Sequence, residues 1–234
     1  RWDAATASCI LENGEKIKPE IMVAADGAKS LLRQQLKIRT REYSQTQSAC
    51  TAILQMTKPH RAMMQQKFFP SGPLGLLPLP DPNQVAMVWS LDTGLAEDLP
   101  RLSEAAFQSR LEPHLTFANL GGIKTIGRRS LTALWGQHAE DYVAYPLVLL
   151  GDAAHVVHPL AGQGLNLGLM DAYVLAQKIC QEDSLSEVVL LEYEAERYRQ
   201  NKKWIMGIDV VRSLYMDHHA CWTALRGVGL GLLQ

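Results

Sequence analysis

No stretch of the 234 residues reaches the roughly 18 consecutive apolar positions that a membrane-crossing helix needs. Residues 1–20 also lack the basic-then-apolar order of a secretory leader. Neither charge predominates: 23 basic and 24 acidic residues leave a formal net charge of −1, so nucleic acid is not an expected partner. Cysteine is scarce, and Cys9, Cys50, Cys180 and Cys221 form no CxxC pair. That spacing excludes a zinc knuckle and a disulfide scaffold, and fits free thiols in a reducing, cytoplasmic compartment. There is no internal repeat and no low-complexity segment. A P-loop is absent as well, because the glycines from Gly121 to Gly127 are not followed by Lys-Ser/Thr. A GxGxG at Gly227, Gly229 and Gly231 has only three residues after it, too few for a helix and a strand.

What is present suits a soluble globular protein, since 47% hydrophobic against 20% charged residues can fill a sizeable core. Residues 4–12 and 16–25 flank Asn13-Gly14, a hairpin signal. The second run ends in Ala-Ala-Asp-Gly, and helix-forming text follows at 30–36, giving strand, tight turn and helix. From about 44 to 135 short β-like runs (49–56, 65–69, 74–79, 84–91 and two near 123–134) are punctuated by Pro, Gly, Asp and Asn, which predicts an antiparallel sheet. A helix at 101–112 interrupts it, with Leu102, Ala105, Ala106 and Leu111 at helical spacing. Leu147–Leu150 is an unbroken apolar run, the mark of a strand buried on both faces. Beyond it, Leu165, Leu169, Ala172, Ala176 and Ile179 predict a long helix packed by that face. Residues 186–218 have helical composition, with EYEAERYRQNKK as a charged, solvated stretch.

The chemistry concentrates in GDAAHVVHPLAGQGLNLGLMD, residues 151–171. Asp152, His155 and His158 could be metal ligands, although their spacing is not that of HExxH. Alternatively, the glycines merely make turns and Asp152 caps a helix. The third reading is a cofactor pocket, which the order of parts favours: a buried strand ends at Leu150, and open α/β sheets bind ligands just beyond the carboxyl ends of their strands. Asp152 can accept hydrogen bonds from a polyol, Gly162 and Gly164 admit a flat ligand close to backbone, and the next helix offers free N–H groups and a positive dipole end.

This segment resembles the second FAD-binding motif of the class A flavoprotein monooxygenases, the para-hydroxybenzoate hydroxylase fold. Its stretch from His158 to Asn166 resembles the signature of the ubiquinone-biosynthesis hydroxylases within that class. ADGAKSLLR, residues 25–33, is similar to the Asp-Gly motif of the class at Asp26, Gly27, Ser30 and Arg33. FFPSGPLGLLPLP (68–80) resembles the substrate-domain strand pair, and YEAERYRQNK the C-terminal helix. The resemblance implies an α+β fold: part of a Rossmann-like FAD-binding domain at 1–40 and 140–182, a substrate-binding β-sheet domain at 41–139, and a helical segment at 183–234.

It further implies that Asp152 binds the FAD ribitol and that Pro159, Gly162, Gln163, Gly164, Leu165 and Asn166 line the isoalloxazine. Asp26, Gly27 and Arg33 would hold the corner near the FAD and NADPH pyrophosphates. The implied reaction is aromatic hydroxylation with NADPH as reductant and O2 as oxygen donor, and no catalytic side chain is assigned. Phe69, Leu77 and Trp89 are candidate contacts for a polyprenyl-phenol, with sheet core as their alternative role. His155 is expected to pack or hydrogen-bond near the turn, and His218-His219 to lie at the surface. No metal is expected.

The class holds the ADP half of FAD on an N-terminal GxGxxG unit, which is absent here. The chain therefore reads as a piece of a longer hydroxylase, inactive alone and binding FAD weakly or not at all. The rival is a non-catalytic assembly or lipid-binding remnant. A homo-oligomer, a ubiquinone-biosynthesis complex and peripheral contact with the inner membrane are the further associations the resemblance leaves open.

Overall fold

The computed structural model describes residues 2–3, 6–158, 162–181 and 185–216; Pro159, His218-His219, Cys221 and the glycines at 227–231 lie outside them. In chain order the strands are β1 (Trp2–Asp3), β2 (Ser8–Ile10), β3 (Lys16–Ile17), β4 (Met22–Ala24), β5 (Thr40–Met56), β6 (Gln65–Phe69), β7 (Gly72–Pro78), β8 (Gln84–Asp92), β9 (Ile123–Ile126), β10 (Ser130–Ala139), β11 (Val143–Ala144), β12 (Leu147–Leu149) and β13 (His155–Val156). The α-helices are α1 (Leu31–Gln35), α2 (Thr93–Ala96), α3 (Glu104–Leu111), α4 (Gly164–Gln181) and α5 (Glu187–Met216). Helix and sheet are mixed, as expected of an α+β chain. There are two compact units, one of residues up to 44 with 135–209, the other of 45–134 with the chain from Val210, and the divisions fall within β5, β10 and α5.

In the first unit β4 and β12 lie side by side and parallel, Met22 opposite Leu147 and Ala24 opposite Leu149, with β11 antiparallel on the far side of β12. All three residues of β12 are fully buried, as its unbroken apolar text demands. Parallel pairing brings the turns after β4 and after β12 to the same end of the sheet. After β4 the chain enters α1 through a double cap. Ser30 Oγ accepts from the Arg33 N–H at 3.0 Å, and the Asp26 carboxylate accepts from the N–H groups of Leu31 and Leu32 at 2.9 and 3.3 Å. The opening hairpin is shorter than expected. β2 pairs with β3 around a turn in which Gly14 has φ +84°, but β3 ends at Ile17, before Pro19, and residues 22–24 join β12 instead.

In the second unit β5, β8, β7 and β6 follow one another in an antiparallel sheet, and β9 pairs with β5 at residues 54–56. Val85, Met87, Trp89 and Leu91 alternate onto one face of β8 and form the core with Leu54, Met56, Leu74 and Leu76. Helix α3 closes this core through Phe107 and Leu111, whereas Ala105 and Ala106 are exposed. The volume of Phe107 outweighs the weaker claim of two alanines.

Two expectations about helices are corrected. Helix α4 buries Leu167, Asp171, Val174 and Leu175, while Leu165 and Leu169 are 74% and 59% exposed and Ala172 and Ala176 are also exposed. Apolar residues surround this helix on all sides, so periodicity alone could not choose a face, and the buried ionic contacts of Asp171 decide it. The stretch EYEAERYRQNKK of α5 is not simply solvated, because Tyr193, Arg197 and Asn201, spaced by four, are all buried. Among the described residues no helix is long and apolar enough to cross a membrane.

The orientation of α4 is testable by urea unfolding. Leu167→Ala should cost about 2–4 kcal/mol and Leu169→Ala under about 1 kcal/mol. Equal costs would contradict the face assigned here.

Candidate functional site

Beyond β12 the chain turns through a single 3-10 turn, Gly151–Ala153, that only glycine enters without strain, since Gly151 has φ +60°. The turn lies against the second turn of α4: a Cβ added to Gly168 would stand 3.4 Å from the Gly151 Cα. Each end of the turn is bonded to a buried charged side chain. The Gly151 N–H donates to Asp171 Oδ2 at 3.1 Å, and the Ala153 carbonyl accepts from Arg33 Nη1 at 2.7 Å. Asp171 is fully buried and Arg33 is 5% exposed. Between these anchors Asp152 is exposed, and its carboxylate has no partner among the described residues.

Asp171 is the centre of a buried polar network. Its Oδ2 also accepts from His155 Nε2 at 2.6 Å, and its Oδ1 accepts from Arg197 Nε at 2.7 Å and Asn201 Nδ2 at 3.1 Å. Burial alone would raise this carboxyl, but the hydrogen bonds from His155, Arg197 and Asn201 outweigh it and hold the group below its ordinary value. An ionised carboxylate only accepts, so His155 donates from Nε2. Among the described residues its Nδ1 is buried without a partner, which is tolerable for a lone pair and costly for an N–H. Asn201 is fully used: Oδ1 accepts from Arg197 Nη2 at 2.8 Å, and Nδ2 donates both to Asp171 and to the Tyr142 oxygen, the latter at 3.2 Å. The Tyr142 hydroxyl is left to donate to His138 Nε2 at 2.9 Å. Tyr198 stacks on His138 at 4.6 Å between centroids.

The anticipated residues fall into three groups. Gly162, Gln163, Gly164, Leu165 and Asn166 lie at the start of α4, where the Asn166 amide donates to Gln163 Oε1 at 3.1 Å, and Gly162 takes a left-handed φ of +60°. Asp26 and Gly27 sit in the turn before α1, but the Asp26 carboxylate is occupied as a helix cap, and those N–H donors help to keep it ionised below its ordinary value against the opposing effect of burial. The Arg33 guanidinium points inward, to the carbonyls of Ala153 and Ala28 and to Gln137 Oε1. In the second unit Trp89 is 2% exposed against His114, and Phe69 packs on the same core, so both side chains are taken up there; Leu77 is exposed.

His155 makes the hydrogen bond expected of it. Asp171, Arg197, Asn201 and Tyr142 were not anticipated. A visible signal existed in the i, i+4, i+8 spacing of Tyr193, Arg197 and Asn201, which puts three polar-tipped side chains on one helical face.

The network makes stability pH-dependent. Burial, with the charges of His155, Lys202 and Arg41, pushes His138 down from 6.5 to about 4 in the folded state. Between those values the unfolded chain binds more protons, so stability is complete above 6.5 and declines as pH falls toward 4, by up to about 3 kcal/mol. Below that, Asp171 and Asp26, both lowered in the folded state, extend the loss as they protonate. His138→Gln should flatten the decline between pH 6.5 and 4 in denaturant titrations; an unchanged slope would remove His138 as its source.

Along its length the chain is similar to the ubiquinone hydroxylase UbiL of Rhodospirillum rubrum, at 32% identity over 100% of this chain and 55% of that protein. It is 32% identical to the mitochondrial ubiquinone biosynthesis monooxygenase COQ6 of Danio rerio, covering 94% of this chain and 53% of the relative. To the 3-demethoxyubiquinol 3-hydroxylase of Escherichia coli it is 31% identical, over 94% and 57%. The chain thus spans little more than half the length of these curated relatives. Among solved structures, Pseudomonas aeruginosa PqsL in complex with 2-aminobenzoylacetate superposes with a TM-score of 0.76 at 22% identity, over 93% of this chain and 62% of that one. Klebsiella pneumoniae HpxO complexed with FAD and uric acid gives 0.71 at 20%, over 93% and 57%. At such identities these speak to the fold. Residues 4–207 match the family described as FAD binding domain, and the chain belongs to that family.

Proposed function

We propose that this chain carries the flavin-ring and substrate portions of an FAD-dependent hydroxylase that acts on the aromatic ring of a polyprenyl-phenol, with NADPH as reductant and O2 as oxygen donor. The observation that carries the reading is Asp152. Asp26 and Asp171 are both engaged by hydrogen-bond donors, whereas Asp152 stays exposed and unpartnered among the described residues, on a turn held at both ends. A rigidly presented carboxylate suits a polyol, whose hydroxyl groups donate to it with the strength of charged hydrogen bonds.

The start of α4 fits the ring of the same cofactor. The first N–H groups of a helix lack intrahelical partners and lie at its positive end, which favours an electron-rich ring edge. Among the described residues a Cβ built on Gly162 would meet nothing within 4 Å, which is compatible with a ligand beside its backbone. Bound FAD would supply the redox and oxygen chemistry. The chain's own part would be to hold the ribitol at Asp152, place the ring over residues 162–166, and keep water from it.

For the substrate, Ile53, Ala86 and Leu77 stand in register across β5, β8 and β7, on the sheet face opposite the core, with Ile53 and Leu77 exposed. An apolar row of this kind suits a prenyl tail. Relatives named as a ubiquinone hydroxylase and a 3-demethoxyubiquinol 3-hydroxylase support the same substrate class.

The apolar row at Ile53, Ala86 and Leu77 also supports a second reading, a non-catalytic subunit that binds the prenylated ring. Restored quinone synthesis in a hydroxylase-deficient strain expressing this chain would favour the enzyme. Ligand binding without restoration would favour the subunit.

Fluorescence titration tests the cofactor assignment. The chain should bind FMN, which carries both the ribitol and the ring, and Asp152→Ala should weaken that binding by at least about tenfold. An Asp152→Ala variant that binds FMN as tightly as the parent would overturn the assignment.

A further inference from the structure

We propose that Asp171 is the positioning residue of the cofactor turn: its carboxylate, braced by Arg197 and Asn201 of α5, fixes the Gly151 N–H and thereby the place of Asp152. This rests on reading Asp152 as a flavin ligand.

The geometry separates the two oxygens by task. Oδ2 takes the turn, through Gly151 N at 3.1 Å and His155 Nε2 at 2.6 Å. Oδ1 takes α5, through Arg197 Nε at 2.7 Å and Asn201 Nδ2 at 3.1 Å. Rotating the carboxylate to release the turn would therefore break the contacts to α5 as well. Arg197 is itself held, donating to Gln200 Oε1 at 2.7 Å and to Asn201 Oδ1 at 2.8 Å.

The turn needs this acceptor. Pairing of β12 with β4 ends where the Leu150 N–H donates to the Ala24 carbonyl at 3.0 Å. The next N–H, of Gly151, points away from β4 because Leu150 is still extended and successive N–H groups of a strand alternate in direction, and among the described residues its acceptor is Asp171. Arg33 holds the other end at Ala153, so loss of Asp171 would leave the turn tethered at one end, with Asp152 free to swing. A displacement of about 1 Å is enough to spoil an oriented contact.

The test combines residue-resolved amide exchange on the flavin-free chain with flavin titration. Asp171→Asn leaves a single acceptor oxygen where the carboxylate had two. It should raise exchange at Gly151 at least about tenfold, leave Leu147–Leu149 protected, and weaken FMN binding by at least about tenfold. The double variant Asp171→Asn with Arg197→Gln removes the uncompensated cation and lets the new amide donate to the new carbonyl, freeing its oxygen for Gly151. It should recover both protection and affinity to within a few-fold of the parent, and it guards against a single variant that fails to fold. Asp152→Ala should lose FMN affinity with Gly151 exchange unchanged. If the Asp171 variants leave Gly151 exchange unchanged, or raise it without affecting FMN affinity, the positioning role is overturned while the flavin reading stands. If Asp152→Ala binds FMN like the parent, it is the flavin reading that fails.

Discussion

The first unit depends on one carboxylate surrounded by donors. Taking an ion out of water costs several kcal/mol even after relaxation, and Asp171 offsets this with four hydrogen bonds, two of them to other ionisable side chains. Those bonds reach three places in sequence: the turn after β12, the start of β13, and the middle of α5. Apolar packing among Val148 of β12, Tyr142, Val174 of α4, and Leu190 and Tyr193 of α5 brings the helices near the sheet. Such contacts are non-directional. The carboxylate sets the register at which the helices stop.

Arg33 is the counterpart of opposite sign. It reaches from α1 to the Ala153 carbonyl, so the two Gly-containing turns of the parallel pair are tied to each other as well as to the helices behind them. Asp26 completes the arrangement from its own turn. Its carboxylate would repel a pyrophosphate if free, but it faces two helix N–H groups instead. The three acidic residues of the site thus differ in state for reasons of geometry: Asp26 caps, Asp171 braces, and Asp152 remains available.

Much of this was legible in the sequence because it depends on local rules. The buried strand at 147–149, a turn among the glycines after it, the helix that begins near residue 30 and the strand at 84–91 all follow from short-range patterns of apolar, small and polar residues. The face of α4 was not legible. Leu165, Leu167, Leu169 and Met170 surround the helix, and the choice among them rests on an ion pair between Asp171 and Arg197, 26 residues further along the chain. The inward stripe of α5 was hidden for a related reason. Hydropathy assigns Arg197 and Asn201 to solvent, and only their partners in space make burial tolerable. Phe69 and Trp89 show the reverse case, since apolar text cannot distinguish sheet core from a ligand wall.

Stability alone does not account for the choice of an aspartate at 171. Replacing a buried ion cluster with well-packed apolar side chains is often neutral or stabilising, so a core of leucines could hold α4 and α5 together equally well. Such a core would offer no acceptor to the Gly151 N–H, and the first residue past Leu150 would then have to turn back toward the sheet or toward water to find one. Asp152 would move with it. The cost of burying Asp171 is therefore incurred for direction rather than for adhesion, and the direction it secures is that of an acidic side chain left without a partner among the described residues.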